Sequence, residues 1–454
     1  VMSNEMINFL STLISYPSIS SNPNNSQDSK NLANFIIDSY TNLGFKMELI
    51  DNQIEGKNPL IFGKFGDDPN KKTIMFYSHY DVQPASIQDG WDTEPFDLIE
   101  KSDGYVYARG ASDDKGPITA TYFAMKELLE TTSDIPVNIA ILYEGEEESS
   151  SHGFEKTVYK NKSFFSDIDG ILILDTSWFT DHRPSLDYGL RGLTYMAINV
   201  SGPNKDQHSG LVGGTIREPM SDLIFILSKL IDSDGNVQID GFYDDVLPLS
   251  DAENELYDEI DFNINDYVSY LGRNSLFQQN SKTTLMNMWR NPSLSIHGIQ
   301  GAFSGSGSKT VVPASVTGKV SMRLVPNQDP KTISEIFIAY VNKIVENMNT
   351  PNSVSVEPIG LGEWWYGDVN NFLFDSAKSA IENYWGKEPN YVRSGGSIPI
   401  IPFMEKTFNA PAIGLPVGQS SDGAHSQNER LRIENLVGAK HVIINLLNKI
   451  SNLN

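Results

Sequence analysis

A chain of 454 residues exceeds the usual size of one hydrophobic core, so the sequence predicts two domains. It contains no Cys, which excludes disulfides, thiol catalysis and Cys-ligated zinc sites and is typical of cytoplasmic proteins. The net charge of -24 argues against nucleic acid or an anionic membrane as a partner. That charge fits an enzyme able to hold cations. No apolar run reaches the roughly 18 residues of a membrane span and the N-terminus lacks the basic-then-apolar pattern of an export signal, so we expect a cytoplasmic protein.

The first 188 residues alternate between helical and extended patterns. Apolar residues at helical spacing predict helices over 4–16, 29–43 and 117–130, the last with Pro117 in its first turn. Strands are predicted at 45–49, 60–65, 73–78, 137–143 and 170–174. Alternating strands and helices are typical of the α/β class, so we expect a mixed, mostly parallel sheet covered by helices on both faces.

The pattern changes near Leu190, where a separate α+β domain is predicted. Its expected elements are a strand at 190–200, a helix at 219–233, an acidic helix-leaning stretch at 250–275, a strand at 318–324, a helix at 331–347 and a strand at 353–359. Helices predicted at 371–385 and 434–449 resume the first pattern, so the second domain is inserted into the first. The predicted boundaries are 1–188 and 363–454 for the α/β domain and 189–362 for the insert.

A cluster of carboxylates follows the apolar strand predicted at 137–143. The residues are Glu144, Glu146, Glu147 and Glu148. Four carboxylates at the tip of a buried strand repel each other and remain ionised only beside positive charge, since an isolated buried charge is very costly. A solvated acidic loop is the simpler interpretation of such a run when it stands alone.

Other potential metal ligands also follow predicted strands or precede helices. His79 and Asp81 lie at the end of one strand with their side chains on the same face, and Asp175 ends another. Asp113 precedes a predicted helix, and His425 lies in a polar loop before the last helix. Each has a simpler interpretation, because a single His is usually a structural hydrogen-bond partner and an Asp before a helix is often its N-cap.

Open α/β sheets place their functional sites at the carboxyl ends of the strands, so these side chains are expected to converge. Two imidazoles and three carboxylates suit a pair of divalent ions, Zn²⁺ first and Mn²⁺ or Co²⁺ as alternatives. Glu147 is a natural general base toward water at such a site. The candidate ligands are His79, Asp113, Glu148, Asp175 and His425.

The motifs around these residues resemble the di-metal amidohydrolase and peptidase family that includes carnosine dipeptidase, aminoacylase and carboxypeptidase G. They are, in order, SHYDVQP at 78–84, RGASDDKGP at 109–117, EGEEESS at 144–150, LDTSW and DYGLRG at 174–192, and LPVGQSSDGAHSQNE at 415–429. Residues 289–313 and GGSIPI at 395–400 are similar to the cytosolic non-specific dipeptidase branch in particular. The resemblance runs from about residue 5 to about residue 450.

This resemblance implies a role for each candidate ligand. One ion would be held by His79 and Asp175, the other by Glu148 and His425, and both by Asp113. Asp81 would orient His79, and Glu147 would act first as base and then as acid. The peptide bond between Asp113 and the next residue would be cis.

The same resemblance makes the insert a lid and dimerisation domain. His208 would reach the site of the partner subunit in a homodimer and polarise the scissile carbonyl. Thr310 and Arg323 would grip the substrate, and Ser397 would contact its backbone, where two preceding glycines permit close approach. Without the resemblance, His208 is best interpreted as a loop residue and Arg323 as half of a surface ion pair.

Three positions depart from the pattern of this branch. Asp114 stands where Asn is common, Ser150 replaces a loop glycine, and Ser394 stands where Glu is usual. None of them removes a candidate ligand, but Asp114 adds negative charge near the expected metals and can alter metal preference. The remaining histidines match no ligand position and are expected to be structural; they are His152, His182, His297 and His441.

The sequence therefore predicts a metal-dependent dipeptidase that hydrolyses the peptide bond of small peptides, with Arg323 receiving the C-terminal carboxylate of the substrate. An N-acyl-amino-acid deacylase or desuccinylase on the same site is the nearer alternative. A catalytically silent binding protein is an alternative of another class, and the complete set of five ligands and a base argues against it.

Overall fold

The computed structural model describes residues 2–277 and 280–453. Up to Leu190 the chain builds helices and most of a large sheet, whose central strands are runs of fully buried residues. The helices are α1 (Met2–Ser15), α2 (Ser26–Asn42), α3 (Gly116–Thr132) and α4 (Phe154–Asn161). The strands are β1 (Lys46–Ile50), β2 (Leu60–Phe65), β3 (Thr73–His79), β4 (Ile99–Glu100), β5 (Tyr105–Tyr107), β6 (Asn138–Glu144), β7 (Gly170–Ile173), β8 (Ser177–Trp178) and β9 (Ser185–Leu190).

The next segment builds a second, antiparallel sheet. Its strands are β10 (Gly192–Ser201), β11 (Gln207–His208), β12 (Ser293–Gln300), β13 (Val311–Val312), β14 (Ser315–Leu324) and β15 (Ser353–Gly362). Its helices are α5 (Ser209–Val212), α6 (Pro219–Leu227), α7 (Asp251–Glu259), α8 (Ile264–Tyr270), α9 (Ser281–Trp289) and α10 (Pro330–Met348). The sheet has four strands in the order β12-β14-β10-β15, and α6 and α10 pack on one of its faces.

The last segment returns to the large sheet. Its helices are α11 (Phe372–Trp385), α12 (Ile400–Phe408) and α13 (Ile433–Ser451). Its strands are β16 (Trp365–Tyr366), β17 (Asn390–Ser394), β18 (Ala412–Gly414), β19 (Gly418–Gln419) and β20 (Arg430–Arg432). In the large sheet, β18 pairs in parallel with β7, and β17 pairs in parallel with β9. Because the second sheet lies between Gly192 and Gly362, it interrupts the first; the boundaries predicted above remain a prediction.

The large sheet has the order β1-β2-β6-β3-β7-β18-β9-β16, with β17 beside β9. Its central strands β6, β3, β7 and β18 are parallel, and antiparallel strands flank them. Side chains of β3 alternate between two cores, with Ile74 and Phe76 in one and Met75 and Tyr77 in the other. A strand buried on both faces explains the continuous apolar run in the sequence. The prediction of a mixed sheet covered on both faces, with an inserted α+β part, is confirmed.

The helix predicted over 219–233 is too long. Helix α6 ends at Leu227, and the side chain of Asp232 then accepts two backbone N–H groups in a tight turn. This turn brings Ile231 into pairing with Val237. The apolar residues after the helix are therefore buried by a turn, and local turn chemistry overrides their helical spacing.

The acidic stretch at 250–275 forms two helices, α7 and α8. Ser250 and Asn263 each accept a backbone N–H group as N-caps, so a second helix begins where the first has ended. Among elements that the sequence patterns did not predict are α4, α9 and α12 and the strands β12, β17 and β18. Within the described residues, no helix is both long enough and apolar enough to cross a bilayer.

We expect Gly145→Ala to destabilise the protein. Gly145 follows β6, and a Cβ at this position would overlap the ring of Tyr80, which is buried and donates its hydroxyl to the carbonyl of Pro59. Overpacking of this kind costs about 1–3 kcal/mol, so thermal unfolding should begin at a lower temperature. Gly298→Ala is the control, because its added Cβ meets no atom within 4 Å; equal melting temperatures for the two variants would contradict the argument.

Candidate metal centre

Three adjacent parallel strands, β6, β3 and β7, end at the same edge of the large sheet and bring candidate ligands there. His79 is the last residue of β3, and Asp175 lies two residues beyond β7. Glu147 and Glu148 lie in the short turn Glu147–Ser149 that follows β6. This is the edge at which open α/β sheets hold their ligands.

The five candidate ligands converge. His79 Nε2 lies 3.1 Å from Asp175 Oδ1, and His425 Nε2 lies 3.0 Å from Glu148 Oε2. Asp113 joins the two pairs, with Oδ1 at 2.9 Å from His79 Nε2 and Oδ2 at 3.0 Å from His425 Nε2. Ligand atoms of a tetrahedral ion with bonds of about 2.0–2.1 Å are separated by roughly 3.3 Å, so this spacing fits two ions that share Asp113.

The turn that carries Asp113 has an irregular backbone. Residues Ala111–Lys115 form a π-type turn ahead of α3, and the Asp113–Asp114 peptide bond is cis, as the family resemblance implied. Asp114 does not point toward the candidate ligand atoms in the way that Asp113 does. Its Oδ2 accepts the backbone N–H of His79 at 3.1 Å, and burial together with the charge of Asp175 raises the pKa of its carboxyl well above the usual value. The extra carboxyl therefore lies behind His79.

Asp81 links two parts of the cluster. Its Oδ1 lies 3.3 Å from Nδ1 of His79, which is the ring nitrogen turned away from the other ligands. The same carboxylate accepts the backbone N–H groups of Glu147, at 3.2 Å, and Glu148, at 2.9 Å. The backbone carbonyl of Asp81 lies closer to the same ring nitrogen, at 2.9 Å, so the main chain and the side chain of Asp81 together orient the imidazole, and its carboxylate fixes the turn that follows β6.

Burial and mutual repulsion raise the pKa values of the two glutamates in this cluster, Glu147 and Glu148. Burial and then the charge of Asp175 raise the pKa of Glu147 well above its usual value, and burial and Asp113 raise the pKa of Glu148 to about 7. Hydrogen bonds to Asp113 and Glu148 raise the pKa of His425 to about 10. Positive charge among these carboxylates relieves their repulsion, and divalent cations can supply it.

Among the described residues, two triads of ligand atoms are compact enough to hold an ion, with all atoms of each triad within 4.8 Å of one another. They are His79, Asp113 and Glu148, and His79, Glu147 and Asp175. The second triad contains Glu147, whose Oε2 lies 3.5 Å from His79 Nε2. Nitrogen and oxygen atoms without sulfur form a donor set that suits Zn²⁺, Mn²⁺ or Co²⁺.

Two cavities open onto the cluster and share Glu147, Glu148, Ser397 and His425. One, of about 360 Å³, is walled by aromatic residues that include Trp289. The other, of about 650 Å³, reaches across to the second sheet. Each cavity therefore gives a small molecule access to the cluster.

The structure brings two of the four expected substrate residues to these cavities. Arg323 of β14 donates from Nη1 to Ser397 Oγ at 2.6 Å, and both line the larger cavity. His208 and Thr310 do not line either cavity in the described part of the chain. Both are exposed, His208 at the end of β11 and Thr310 immediately before β13, and the Thr310 carbonyl accepts the N–H of Ser209.

Sequence reasoning missed several polar residues that hold the ligands in place. Gln83 donates its side-chain amide to Glu148 Oε2 at 3.0 Å, and Arg109 and Glu429 form a buried ion pair beneath the loops of Asp113 and His425. All three lie inside the family-like motifs. Their position in those motifs was the available signal, but nothing in one sequence separates them from the other polar residues nearby.

Comparison with known proteins decides the family. Residues 75–449 match Peptidase family M20/M25/M40. The chain belongs to this family. The resemblance stated from the motifs is therefore confirmed, and the irregular turns at the carboxyl edge of the sheet belong to a peptidase.

Relatives of this peptidase match it over most of its length. The Cys-Gly metallodipeptidase dug1 of Schizosaccharomyces pombe is 40% identical over 441 residues, which is 95% of this chain and 93% of the relative. The Beta-Ala-His dipeptidase of Mus musculus is 37% identical over 409 residues, or 88% and 83% of the two chains. The structure of Dug1p from Saccharomyces cerevisiae has a TM-score of 0.89 at 36% identity, with 99% of this chain and 96% of that chain covered. Human carnosine dipeptidase 1 has a TM-score of 0.89 at 34% identity, with 99% and 97% covered.

We expect the stability of an Asp187→Asn variant, relative to the parent, to rise with pH. Asp187 is 1% exposed in the wall of the smaller cavity, and burial raises the pKa of its carboxyl from 3.8 to about 7. A raised folded-state pKa stabilises the fold at low pH, and this contribution is lost as pH rises through about 7.

The variant should therefore gain about 2–4 kcal/mol relative to the parent between about pH 5 and pH 8. Melting temperatures at both pH values measure this gain. Asp67→Asn, which removes an exposed carboxylate, should show no such trend. A difference between Asp187→Asn and parent that does not change with pH would contradict the assignment.

Proposed function

We propose that the protein is a metal-dependent dipeptidase that hydrolyses the peptide bond of dipeptides. One observation carries the proposal: His79, Asp113, Glu148, Asp175 and His425 meet at one edge of the sheet, beside Glu147 and between two cavities. Membership of a peptidase family supports hydrolysis of an amide bond. Relatives named as dipeptidases, with about 40% identity over nearly the whole chain, support short peptides as substrates.

The cofactors are two divalent ions, Zn²⁺ first and Mn²⁺ or Co²⁺ as alternatives. His79 and Asp175 would hold one ion, Glu148 and His425 the other, and Asp113 both. When bound, such ions polarise a carbonyl and lower the pKa of water. The opposite orientation of the two Asp113 oxygens, each toward a different His, supports the bridging role.

Glu147 is the general base. Its carboxylate lies 3.5 Å from His79 Nε2 and lines both cavities, so it can take a proton from water that attacks the peptide carbonyl. The same carboxyl then returns the proton to the amine that leaves. Asp81 keeps Glu147 in position by accepting its backbone N–H.

The C-terminal carboxylate of the substrate binds Arg323. Its guanidinium lines the larger cavity together with Ser397. The hydrogen bond between them connects β14 of the second sheet to the segment that follows β17 of the large sheet. Burial lowers the pKa of the guanidinium, and a desolvated cation pairs strongly with a carboxylate. A cavity of about 650 Å³ that ends at a cation accommodates a dipeptide and selects against internal peptide bonds of a protein.

The active protein is a cytoplasmic homodimer in which His208 and Thr310 serve the site of the partner subunit. Two observations support this. Both residues are exposed and line neither cavity of their own chain in the described ranges. The helices that follow His208 also expose apolar side chains, with Leu211 80% and Ile224 53% exposed, which are suited to burial in an interface.

The test is hydrolysis of a dipeptide panel, including Cys-Gly and β-Ala-His, by protein that has been depleted of metal and then reloaded with Zn²⁺ or Mn²⁺. Depletion should abolish release of amino acids, and reloading should restore it. Glu147→Gln should lower kcat by about 10²–10⁴-fold because it removes proton transfer. Its metal content should stay at the parental value, since the carboxylate is not assigned as a ligand.

Glu155→Gln is the matched control, because Glu155 is an exposed acid at the rim of the larger cavity. It should keep parental activity. Full hydrolysis by Glu147→Gln would end the mechanism. Faster turnover of N-acyl amino acids than of every dipeptide would assign the site to a deacylase instead, and failure to turn over either class would leave a binding protein.

Arg323→Ala should raise KM for dipeptides with a free C-terminal carboxylate by about 10–100-fold, since a hydrogen bond to a charged group contributes about 1.5–3 kcal/mol. Dipeptide amides, which lack this charge, should be hydrolysed equally by variant and parent. Lys319→Ala removes a cation from the same strand and is the control. An equal rise in KM for dipeptides with a free carboxylate and for dipeptide amides would show that Arg323 does not bind the substrate carboxylate.

A further inference from the structure

A buried ion pair lies beneath the candidate metal centre and belongs to no assigned role. Arg109 and Glu429 are 3% and 0% exposed, and Arg109 Nη1 donates to Glu429 Oε1 at 2.9 Å. Buried ion pairs contribute little net stability, because the desolvation of two charges offsets their attraction. What this pair contacts explains its place better than stability does.

Glu429 holds the loop of Asp113. Its Oε2 accepts three backbone N–H groups of that loop, from Gly110 at 3.0 Å, Ser112 at 3.0 Å and Asp113 itself at 3.1 Å. The Ser112 hydroxyl adds a fourth donor at 3.3 Å. Because these donors converge on one charged oxygen, they fix the backbone of the loop. A fixed backbone in turn sets the direction in which the two carboxylate oxygens of Asp113 point.

Arg109 holds the loop of His425. Its Nη1 also donates to the carbonyl of Ser426, the residue after His425, at 3.0 Å. His425 and Asn428 have positive φ values of 66° and 58°, which non-glycine residues rarely adopt. Such backbone persists only where the surrounding structure fixes it, and the guanidinium supplies that restraint.

The same guanidinium reaches the segment that supports Glu148. Its Nη2 donates to the carbonyl of Pro84 at 3.3 Å. Pro84 follows Gln83, whose side-chain amide donates to Glu148 Oε2 at 3.0 Å and to the Glu148 carbonyl at 3.4 Å. Through Arg109 and Glu429, the segments behind Asp113, Glu148 and His425 are therefore joined.

The other half of the centre is held differently. His79 belongs to a central strand, its ring is oriented by Asp81, and its backbone N–H is bound by Asp114. Asp175 lies just beyond the neighbouring strand β7. Apart from the bond between them, the side chains of Arg109 and Glu429 hydrogen-bond to the loops of Asp113 and His425 and to Pro84. These contacts do not include β3 or the segment of Asp175.

We propose that the Arg109–Glu429 pair positions the metal site of Glu148 and His425 together with the loop of the shared ligand Asp113, whereas the other site keeps His79 and Asp175, two ligands held by the sheet. This inference rests on the metal assignment in the proposed function. It makes occupancy of the two sites separable: disruption of the pair releases one ion and retains the other.

The experiment counts metal ions in the intact, metal-reloaded protein. Glu429→Gln keeps the shape of the side chain, but its amide nitrogen must face either Arg109 or the three N–H donors, so one contact becomes donor against donor. We expect two Mn²⁺ or Zn²⁺ ions per parental chain and one per variant chain after dialysis. Calorimetric titration should show that the variant binds the ion of Glu148 and His425 about 10–100-fold more weakly than the parent does, as is typical when a residue that supports metal ligands is replaced. The affinity for the ion of His79 and Asp175 should not change.

Arg109→Lys is the second variant. It keeps the positive charge but removes the guanidinium that donates to the carbonyls of both Ser426 and Pro84, so it should lower the affinity for the same ion. This variant provides the test if Glu429→Gln does not fold. Glu253→Gln is the matched control, because Glu253 forms an equally buried pair with Arg393 at 2.6 Å on another part of the protein. It should retain two ions. Melting temperatures of the metal-free forms separate loss of fold from loss of one site.

The proposal would be overturned if Arg109→Lys and Glu429→Gln both bound two ions with parental affinity. It would also be overturned if both ions lost affinity equally, or if the parent bound fewer than two ions. The readout does not depend on catalysis. If the parent hydrolyses no dipeptide but the variants still lose a single ion, the proposed function fails and this inference stands.

Discussion

The structure is organised around a concentration of negative charge at the carboxyl edge of the large sheet. Asp113, Glu147, Glu148 and Asp175 lie around two imidazoles, and burial raises the pKa values of three of these carboxyls. Such a group is stable only with positive charge inside it, supplied by protons or by cations. The parallel centre of the sheet makes the arrangement possible, because neighbouring strands that run the same way end side by side.

Charge also holds the irregular loops in place. Asp81 accepts two backbone N–H groups of the turn after β6, and Glu429 accepts three from the loop of Asp113. Backbone donors in loops have no ladder partner, so buried carboxylates take the place of a neighbouring strand. The same device gives the loops the stiffness that a metal site of fixed geometry requires.

Much of the fold could be predicted from the sequence, because buried parallel strands are apolar runs with clear ends. The predictions for β2, β3, β6 and β7 lie within one or two residues of the observed strands. Strand β12 was missed since most of its side chains are exposed. The helix predicted over 219–233 extended beyond Leu227, because apolar spacing does not reveal that a turn buries the residues after it.

The sequence by itself determined the class of fold, the type of ligand and the strand ends that carry them, because side-chain periodicity and chemistry are local properties. Only the tertiary structure decided which Asp113 oxygen faces which imidazole, that Arg323 meets Ser397 across two sheets, and that His208 lies away from the site of its own chain. Arg109 and Glu429 meet across 320 residues of sequence. Contacts of that range depend on how whole sheets and loops pack, which no local pattern encodes.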